Sequence, residues 1–479
     1  MPDHAYHDLR ISAGDHVVVV GLGKSGLSAV RFLLGQGVRV SVSEGGRRDR
    51  LDREILRWLE GERVCLETGG HSSEFFCAAD CILVSPGVPL DLPALVAARQ
   101  AGIPVVGEMA LAAQFMKTPM VAVTGTNGKS TVVTLLGALF AAAGRKVFVG
   151  GNIGTPLTDY LAGPQDAEVA VLEVSSFQID TAGAFRPQVG VLLNITPDHL
   201  DRYPSFGAYA ESKFNLFAAQ EPEDVAILNH DDPESMAAKA LWPRSKVFFF
   251  GHELAGRDGA LLDCTSVVLQ GLGGGERYEL AGTALAESPN RENSAAAILA
   301  ARLSGCPAAA IAQGLADFAP LAHRLALVAE VDGVRYYDDS KATNIGAVQS
   351  ALEAMTGPVI LIAGGRDKGG DYRLLNKAMG RRVKHLLLIG EAREKMAAAF
   401  AALTEVEQLA GLEEAVARAH QLARPGDTVL LSPACASFDM FNSYAHRGEV
   451  FRKAVGDIAL AVTSGGTCGA DPMRQACAV

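Results

Sequence analysis

No two of the eight cysteines stand in a C-x-x-C spacing, which removes a zinc ribbon or a dithiol redox pair from consideration. Reduced, mostly buried thiols are expected instead, with Cys65 and Cys81 lying in apolar strand-like runs. Aromatic residues are scarce, 6% against a hydrophobic fraction of 49%, so any core is built from Ala, Val and Leu, as in layered α/β proteins. No apolar run approaches the about 20 residues of a membrane span, and the opening MPDHAYHDLR has acids and histidines where a signal peptide would be basic and then apolar. A cytoplasmic protein without a membrane partner is expected. Basic runs and aromatic-basic stripes are missing too, and the net charge is −11, so nucleic acid is not an expected partner. Acidity does not forbid an anionic substrate, because a few local cations and helix N-termini suffice to bind one.

What is present begins with length: 479 residues suit about three domains at roughly 150 residues each. The most informative stretch is VAVTGTNGKST, Val121 to Thr131, where an apolar β-branched run enters a glycine turn and then the helical pattern TVVTLLGALFAAAG. Small residues there let backbone N–H groups crowd round a polyphosphate. Lys129 can reach the β- and γ-phosphates, and Ser130 can offer a hydroxyl to Mg²⁺. A strict G-x-x-x-x-G-K-[ST] pattern needs a further glycine where Val123 stands, but Gly125, Gly128, Lys129 and Ser130 keep the strand-to-helix context.

Upstream, VVVVG, GLGKSG, LSAVRFLLGQG and VRVSVSE read as strand, loop, helix and strand. Gly21, Gly23 and Gly26 complete G-x-G-x-x-G, and Glu44 closes the second strand where a ribose-binding acid would stand. Which nucleotide sits there is open. Ser85-Pro86-Gly87 is either a ligand-binding strand end or a plain turn. Downstream of the glycine turn, GGNIGTP exposes Asn152, and VAVLEVSSFQI reads as one strand carrying Glu173, either a Mg²⁺-binding acid or a buried, hydrogen-bonded one. His199 follows a strand end, a setting that suits a site or a structural histidine, and Lys213 reads by periodicity as a solvated lysine on a helix face. Residues 229–282 read as a glycine-rich excursion, and Asn290 and Asn293 open a helix. The expected layout is a nucleotide-binding Rossmann-like domain at 1–117, a central P-loop ATPase-type parallel sheet at 118–321, a C-terminal Rossmann-like α/β domain at 322–462, and a disordered tail at 463–479.

TGTNGKST at Thr124 to Thr131, DSKATN at Asp339 to Asn344 and SPACAS at Ser432 to Ser437 resemble the Mur ligase family over nearly the whole chain. The last two motifs resemble its D-glutamate-adding members, and the D-N-P-R motif of the diaminopimelate- or lysine-adding members is absent. The resemblance implies an ATP-dependent amide ligase of peptidoglycan precursor synthesis, acting on UDP-N-acetylmuramoyl-L-alanine and D-glutamate as a monomer. It implies that Lys24, Ser25, Glu44, Ser85, Pro86, Gly87, Asn152 and His199 hold the uridine substrate. Gly125, Thr126, Asn127, Gly128, Lys129, Ser130, Thr131, Asn290, Asn293, Arg324 and Asp339 would hold ATP. Thr343, Lys368, Ser437, Phe438 and Tyr444 would hold D-glutamate. Ser130, Glu173, His199 and a carbamylated Lys213 would serve two Mg²⁺ ions, and Lys129, His199, Lys213 and Arg324 would carry catalysis. Pro289 stands where the family usually has histidine, and Ala326 where it commonly has an acid. The competing readings are a folylpolyglutamate synthase-like ligase and an NAD-dependent oxidoreductase.

Overall fold

The computed structural model describes residues 10–199, 202–237, 244–272, 275–319 and 321–465. The chain forms two compact units: one runs to Ile195 and adds Ser205–Ala286 and Asn290–Phe318, the other comprises Thr196–Pro204, Glu287–Pro289 and the chain from Ala319. Three sheets organise them.

The first sheet holds β1 (His16–Val20), β2 (Arg39–Glu44), β3 (Cys65–Thr68), β4 (Cys81–Val84) and β5 (Val105–Val106) in the order β3-β2-β1-β4-β5, all parallel. Its centre is the run VVVV, buried because helices cover both faces of a parallel sheet. The order reverses between β1 and β4, so their carboxyl ends open a crevice of the kind in which open α/β sheets bind ligands.

The second sheet contains β6 (Met120–Thr124), β7 (Val147–Gly151), β8 (Val169–Glu173), β9 (Val189–Leu192), β10 (Val225–Asn229), β11 (Lys246–Gly251), β12 (Gly259–Leu262), β13 (Ser266–Gln270) and β14 (Arg277–Glu279). They follow the order β14-β13-β12-β11-β10-β9-β6-β8-β7, parallel except at the β12-β13-β14 edge. The glycine-rich stretch after Asn229 is therefore no excursion. Its strands extend this sheet, and Ala260, Leu262, Val267, Leu269 and Tyr278 join its core. Helices Lys129–Ala142 and Asn290–Leu303 pack on it, the second through an alanine-rich run buried from Asn293 to Ala301. The expected strand through VAVLEVSSFQI stops at Glu173, because Ser175 and Gln178 form a reciprocal capping box that starts a short helix, Ser176–Ile179.

The third sheet, in the second unit, holds β15 (Ala326–Val331), β16 (Val334–Asp338), β17 (Val359–Gly364), β18 (Val383–Ile389), β19 (Glu405–Gln408) and β20 (Thr428–Leu431). Its order is β15-β16-β20-β17-β18-β19, antiparallel only between β15 and β16. The last helix runs from Tyr444 to Gly465, slightly past the expected end of this region, and the rest of the expected tail lies outside the described residues. Among the six described cysteines, Cys81, Cys306 and Cys435 are buried and Cys65, Cys77 and Cys264 are exposed. Cys65 is in a strand as expected, but the first residue of an edge strand turns its thiol outward. No described helix is long and apolar enough to cross a membrane.

Candidate active site

Three groups of polar residues gather at strand ends. At the crevice of the first sheet, Gly21 follows β1 with φ +89°. Gly26, in the first turn of the helix Lys24–Gly35, packs so close that a Cβ on it would lie 1.9 Å from the Gly21 carbonyl oxygen. Glu44, the last residue of β2, accepts from Leu22 N and Gly46 N, both at 2.7 Å, and so braces the loop with both carboxylate oxygens. Ser85 Oγ donates to Gly21 O (3.2 Å), while Pro86 is half-buried and Gly87 exposed. Lys24 Nζ donates to Gly154 O (2.6 Å) in the Gly150 to Pro156 stretch, beside half-buried Ser25.

The second group surrounds Gly125 to Thr131, between β6 and its helix. Gly125 (φ +146°) and Gly128 (φ +87°) take conformations open to glycine. Gly128 packs on Asn293, whose Oδ1 would be 2.3 Å from a Cβ there; Asn290 begins the same helix. Lys129 Nζ donates to Gly125 O and Thr126 O, each at 2.8 Å. Ser130 Oγ donates to Glu173 Oε2 (2.7 Å) and Asn152 Nδ2 to Glu173 Oε1 (2.9 Å), so one buried carboxylate joins the helix start to the exposed Asn152. Thr131 is buried beside Ser130. Lys213 is no solvated lysine: it is 2% exposed, its Nζ donates to Gly125 O (2.9 Å) and lies 4.5 Å from the Tyr209 ring centroid. Helix Phe206–Phe214 turns Tyr209, Ser212, Lys213 and Phe214 inward, a face the mixed sequence does not reveal.

Asn194, just past β9, was not singled out by its sequence setting. Its Oδ1 accepts from Asn127 N (2.9 Å), its Nδ2 donates to Asn127 O (3.1 Å) and its carbonyl accepts from Thr126 N (2.9 Å). These bonds pin the glycine turn on its strand side.

In the second unit, Arg324 stands between His323 (φ +63°) and Leu325 (φ +45°). His323 Nδ1 is 2.6 Å from Asp338 Oδ2. Asp339 accepts from Leu325 N (3.1 Å) and Ser432 Oγ (2.9 Å), and burial pushes its carboxyl up to about 7. Asp198 Oδ2 accepts from Asn344 Nδ2 (3.0 Å), its Oδ1 accepts from His199 N (2.9 Å) and lies 3.9 Å from Lys368 Nζ, so one acid gathers three segments. Thr343 is half-buried, Ser437 is buried, and Phe438 and Tyr444 are exposed, with Lys341 Nζ 5.3 Å from the Tyr444 ring centroid. The fully buried Arg447, also missed from sequence, donates to Ser340 Oγ (3.0 Å), Ser340 O (2.8 Å) and Cys435 O (3.2 Å), tying the DSKATN and SPACAS segments together. Burial lowers its guanidinium to about 10, which leaves it charged at neutral pH.

The Ser130 and Glu173 oxygens are hard donors that fit Mg²⁺, an ion commonly held by one or two carboxylates plus waters and phosphates. Among the described residues no group of three His, Cys, Asp or Glu is placed to hold a metal ion.

Known proteins resemble the chain over most of its length. Three family models match in chain order: "Mur ligase MurD-like, N-terminal domain" at residues 15–107, "Mur ligase middle domain" at 123–301 and "Mur ligase, glutamate ligase domain" at 323–435. The UDP-N-acetylmuramoylalanine--D-glutamate ligase of Desulfosudis oleivorans is 47% identical over 92% of this chain and 95% of its own length. That of Syntrophotalea carbinolica is 44% identical over 92% and 98%. Among solved structures, a pseudomurein peptide ligase type C from Methanothermus fervidus has a TM-score of 0.59 at 19% identity, covering 93% of this chain and 100% of that one. The MurF ligase of Thermotoga maritima, in complex with ADP, has a TM-score of 0.57 at 19% identity, covering 96% and 100%. With relatives this similar over nearly their whole length, the chain belongs to the Mur ligase family.

Proposed function

We propose that this chain is an ATP-dependent carboxylate-amine ligase that joins D-glutamate to UDP-N-acetylmuramoyl-L-alanine in the cytoplasm, as a monomer, during peptidoglycan precursor synthesis. The observation that carries the reading is the convergence of Lys129, Ser130, Asn152 and Glu173 on the glycine turn, in a chain whose relatives are named for that reaction. Three domains are proposed: a Rossmann-like one for the uridine substrate (1–117), a P-loop one for ATP (118–321) and a Rossmann-like one for the amino acid (322–462).

A carboxylate is a weak electrophile with a poor leaving oxygen, so it does not condense with an amine in water. Transfer of the ATP γ-phosphoryl group to the L-alanyl carboxylate makes an acyl phosphate. The D-glutamate amine attacks its carbonyl carbon, the tetrahedral intermediate collapses, and phosphate leaves. Lys129 and Arg324 neutralise charge on the transferring phosphoryl oxygens, and the backbone N–H groups of Gly125 to Thr131 cradle the polyphosphate. Asn290 and Asn293 face adenine, and Asp339 holds the ribose. Lys24, Ser25, Glu44, Ser85, Pro86, Gly87 and Asn152 receive the uridine substrate, with His199. Thr343, Lys368, Ser437, Phe438 and Tyr444 receive D-glutamate. Two Mg²⁺ ions, held by Ser130, Glu173, His199 and a carbamylated Lys213, would supply further neutralisation of phosphate charge.

An oxidoreductase reading of G-x-G-x-x-G leaves the second glycine turn, Gly125 to Thr131, idle. A folylpolyglutamate synthase reading leaves DSKATN and the first sheet unexplained. The test is phosphate release from ATP with each substrate singly and with both. Release only with UDP-N-acetylmuramoyl-L-alanine and D-glutamate together is expected; release dependent on a folate, or none with both present, overturns the proposal.

A further inference from the structure

The loop Arg366 to Gly370 and the loop Ser432 to Ser437 leave adjacent parallel strands, β17 and β20, and are fastened to each other at two levels. On the backbone, Arg366 N donates to Ala436 O (2.9 Å) in an isolated bridge. Gly365, at φ +133°, makes that approach possible, since a Cβ there would lie 2.3 Å from Ala436 O. Deeper, the Tyr372 side chain, 3% exposed, places its phenol oxygen 2.8 Å from Asp367 Oδ1 and 3.2 Å from Cys435 Sγ.

Chemistry sets the direction of this chain of bonds. Burial works to raise the Asp367 carboxyl, yet bonds from Lys395, Tyr372 and Gly369 N hold it below the ordinary carboxylate value, so it is an ionised acceptor at neutral pH. The phenol therefore donates to it. Burial pushes the Cys435 thiol up to about 11, so it keeps its proton and donates to the phenol oxygen. Asp367 Oδ1 also accepts from Gly369 N (3.1 Å), and Oδ2 accepts from Lys395 Nζ (2.7 Å), which lies 5.3 Å from the Tyr372 ring centroid. Lys368 thus sits between Asp367 and Gly369, which the Asp367 carboxylate ties together, and that carboxylate is engaged by three donors.

We propose that Tyr372, Asp367 and Lys395 are positioning residues for the amino-acid substrate. They fix the Lys368 loop against the SPACAS loop, and so set the spacing between the Lys368 ammonium and the Ser437 hydroxyl that a dicarboxylate must match. The inference rests on the assignment of Lys368 and Ser437 to D-glutamate, and a separate variant tests that assignment.

The experiment is steady-state kinetics on the full-length enzyme with D-glutamate and ATP varied in turn. Lys368→Ala tests the pocket: an unchanged Michaelis constant for D-glutamate refutes the assignment itself. If Lys368→Ala raises it, Tyr372→Phe, Asp367→Asn and Lys395→Met should each raise the same constant by about tenfold, the scale of one hydrogen bond to a charged group, with the ATP constant unchanged. Lys395 is half exposed, so its variants report on positioning with the buried tyrosine intact, and Lys395→Arg should restore most of the loss. D-glutamate constants that stay at the wild-type value in all three variants, or constants for both substrates that rise together, overturn the proposal.

Discussion

Lys129 and Lys213, one on the helix that follows the glycine turn and the other on helix Phe206–Phe214, donate to the same acceptor, the carbonyl oxygen of Gly125, at 2.8 and 2.9 Å. Two ammonium groups on one oxygen repel each other and favour an anion close by. The Ser130 hydroxyl and the Glu173 carboxylate stand at the same helix start, so the turn presents cations and hard oxygen ligands side by side.

Lys129→Ala should abolish turnover while the uridine substrate still binds. The substitution removes one preorganised cation from the phosphoryl oxygens, a loss on the order of 10²–10³ in kcat, and leaves the crevice between β1 and β4 untouched. Phosphate release together with calorimetric titration of UDP-N-acetylmuramoyl-L-alanine separates the two effects. Near-normal turnover would remove the glycine turn from the mechanism.

Asn194→Ala should weaken ATP binding without changing the Michaelis constant for D-glutamate. The bond from Thr126 N to the residue 194 carbonyl survives, but the two side-chain bonds to Asn127 are lost. At about 1 kcal/mol each, ATP affinity falls by roughly ten- to a hundredfold, read by equilibrium titration with a non-hydrolysable analogue. Unaltered affinity would mean that the turn holds its shape without Asn194.

Asp339→Asn should flatten the pH dependence of stability. The folded carboxyl is raised to about 7 by burial, against about 3.9 in an unfolded chain, so the folded state holds the proton more tightly. Its stabilising contribution is full below about pH 4 and is lost as pH rises through about 7. Denaturant midpoints of wild type should fall from pH 5 to 8 while those of the variant stay more nearly level; a parallel pair of curves would show that Asp339 is not the source.

The legible parts of this sequence were those with short-range patterns. VVVV and MVAVT announce buried parallel strands, and the glycines that follow them mark the turns at their carboxyl ends. What escaped depends on partners far away in the chain. Asn194 and Arg447 act on loop backbone groups, which leave no periodic trace. Lys213 was named by resemblance, but its burial escaped because FGAYAESKF has no strongly apolar stripe to show which face turns inward. Ser175 and Gln178 were read through as strand because their capping role shows only in the reciprocal bonds between them. The site as a set of residues came from resemblance; the bonds that order it came from the fold.

Carbamylation of Lys213 is the last prediction. Addition of CO₂ to the neutral amine forms an N–C bond and releases a proton, turning a cation into an anion with two oxygens. The remaining N–H can keep the bond to Gly125 O, while the new oxygens become ligands of the kind Mg²⁺ prefers and an ammonium would repel. The site suits such a group: Lys213 is buried, its Nζ reaches the same turn as Ser130, and the change of charge removes the repulsion from Lys129. Enzyme equilibrated with ¹³C-labelled bicarbonate should show a carbamate carbon resonance that Lys213→Ala lacks. The variant should be nearly inactive at ordinary Mg²⁺ and partly restored by short-chain carboxylates, which return two oxygens without a covalent link. A fully active, bicarbonate-insensitive Lys213→Ala enzyme, or a resonance that persists in it, would sink the assignment.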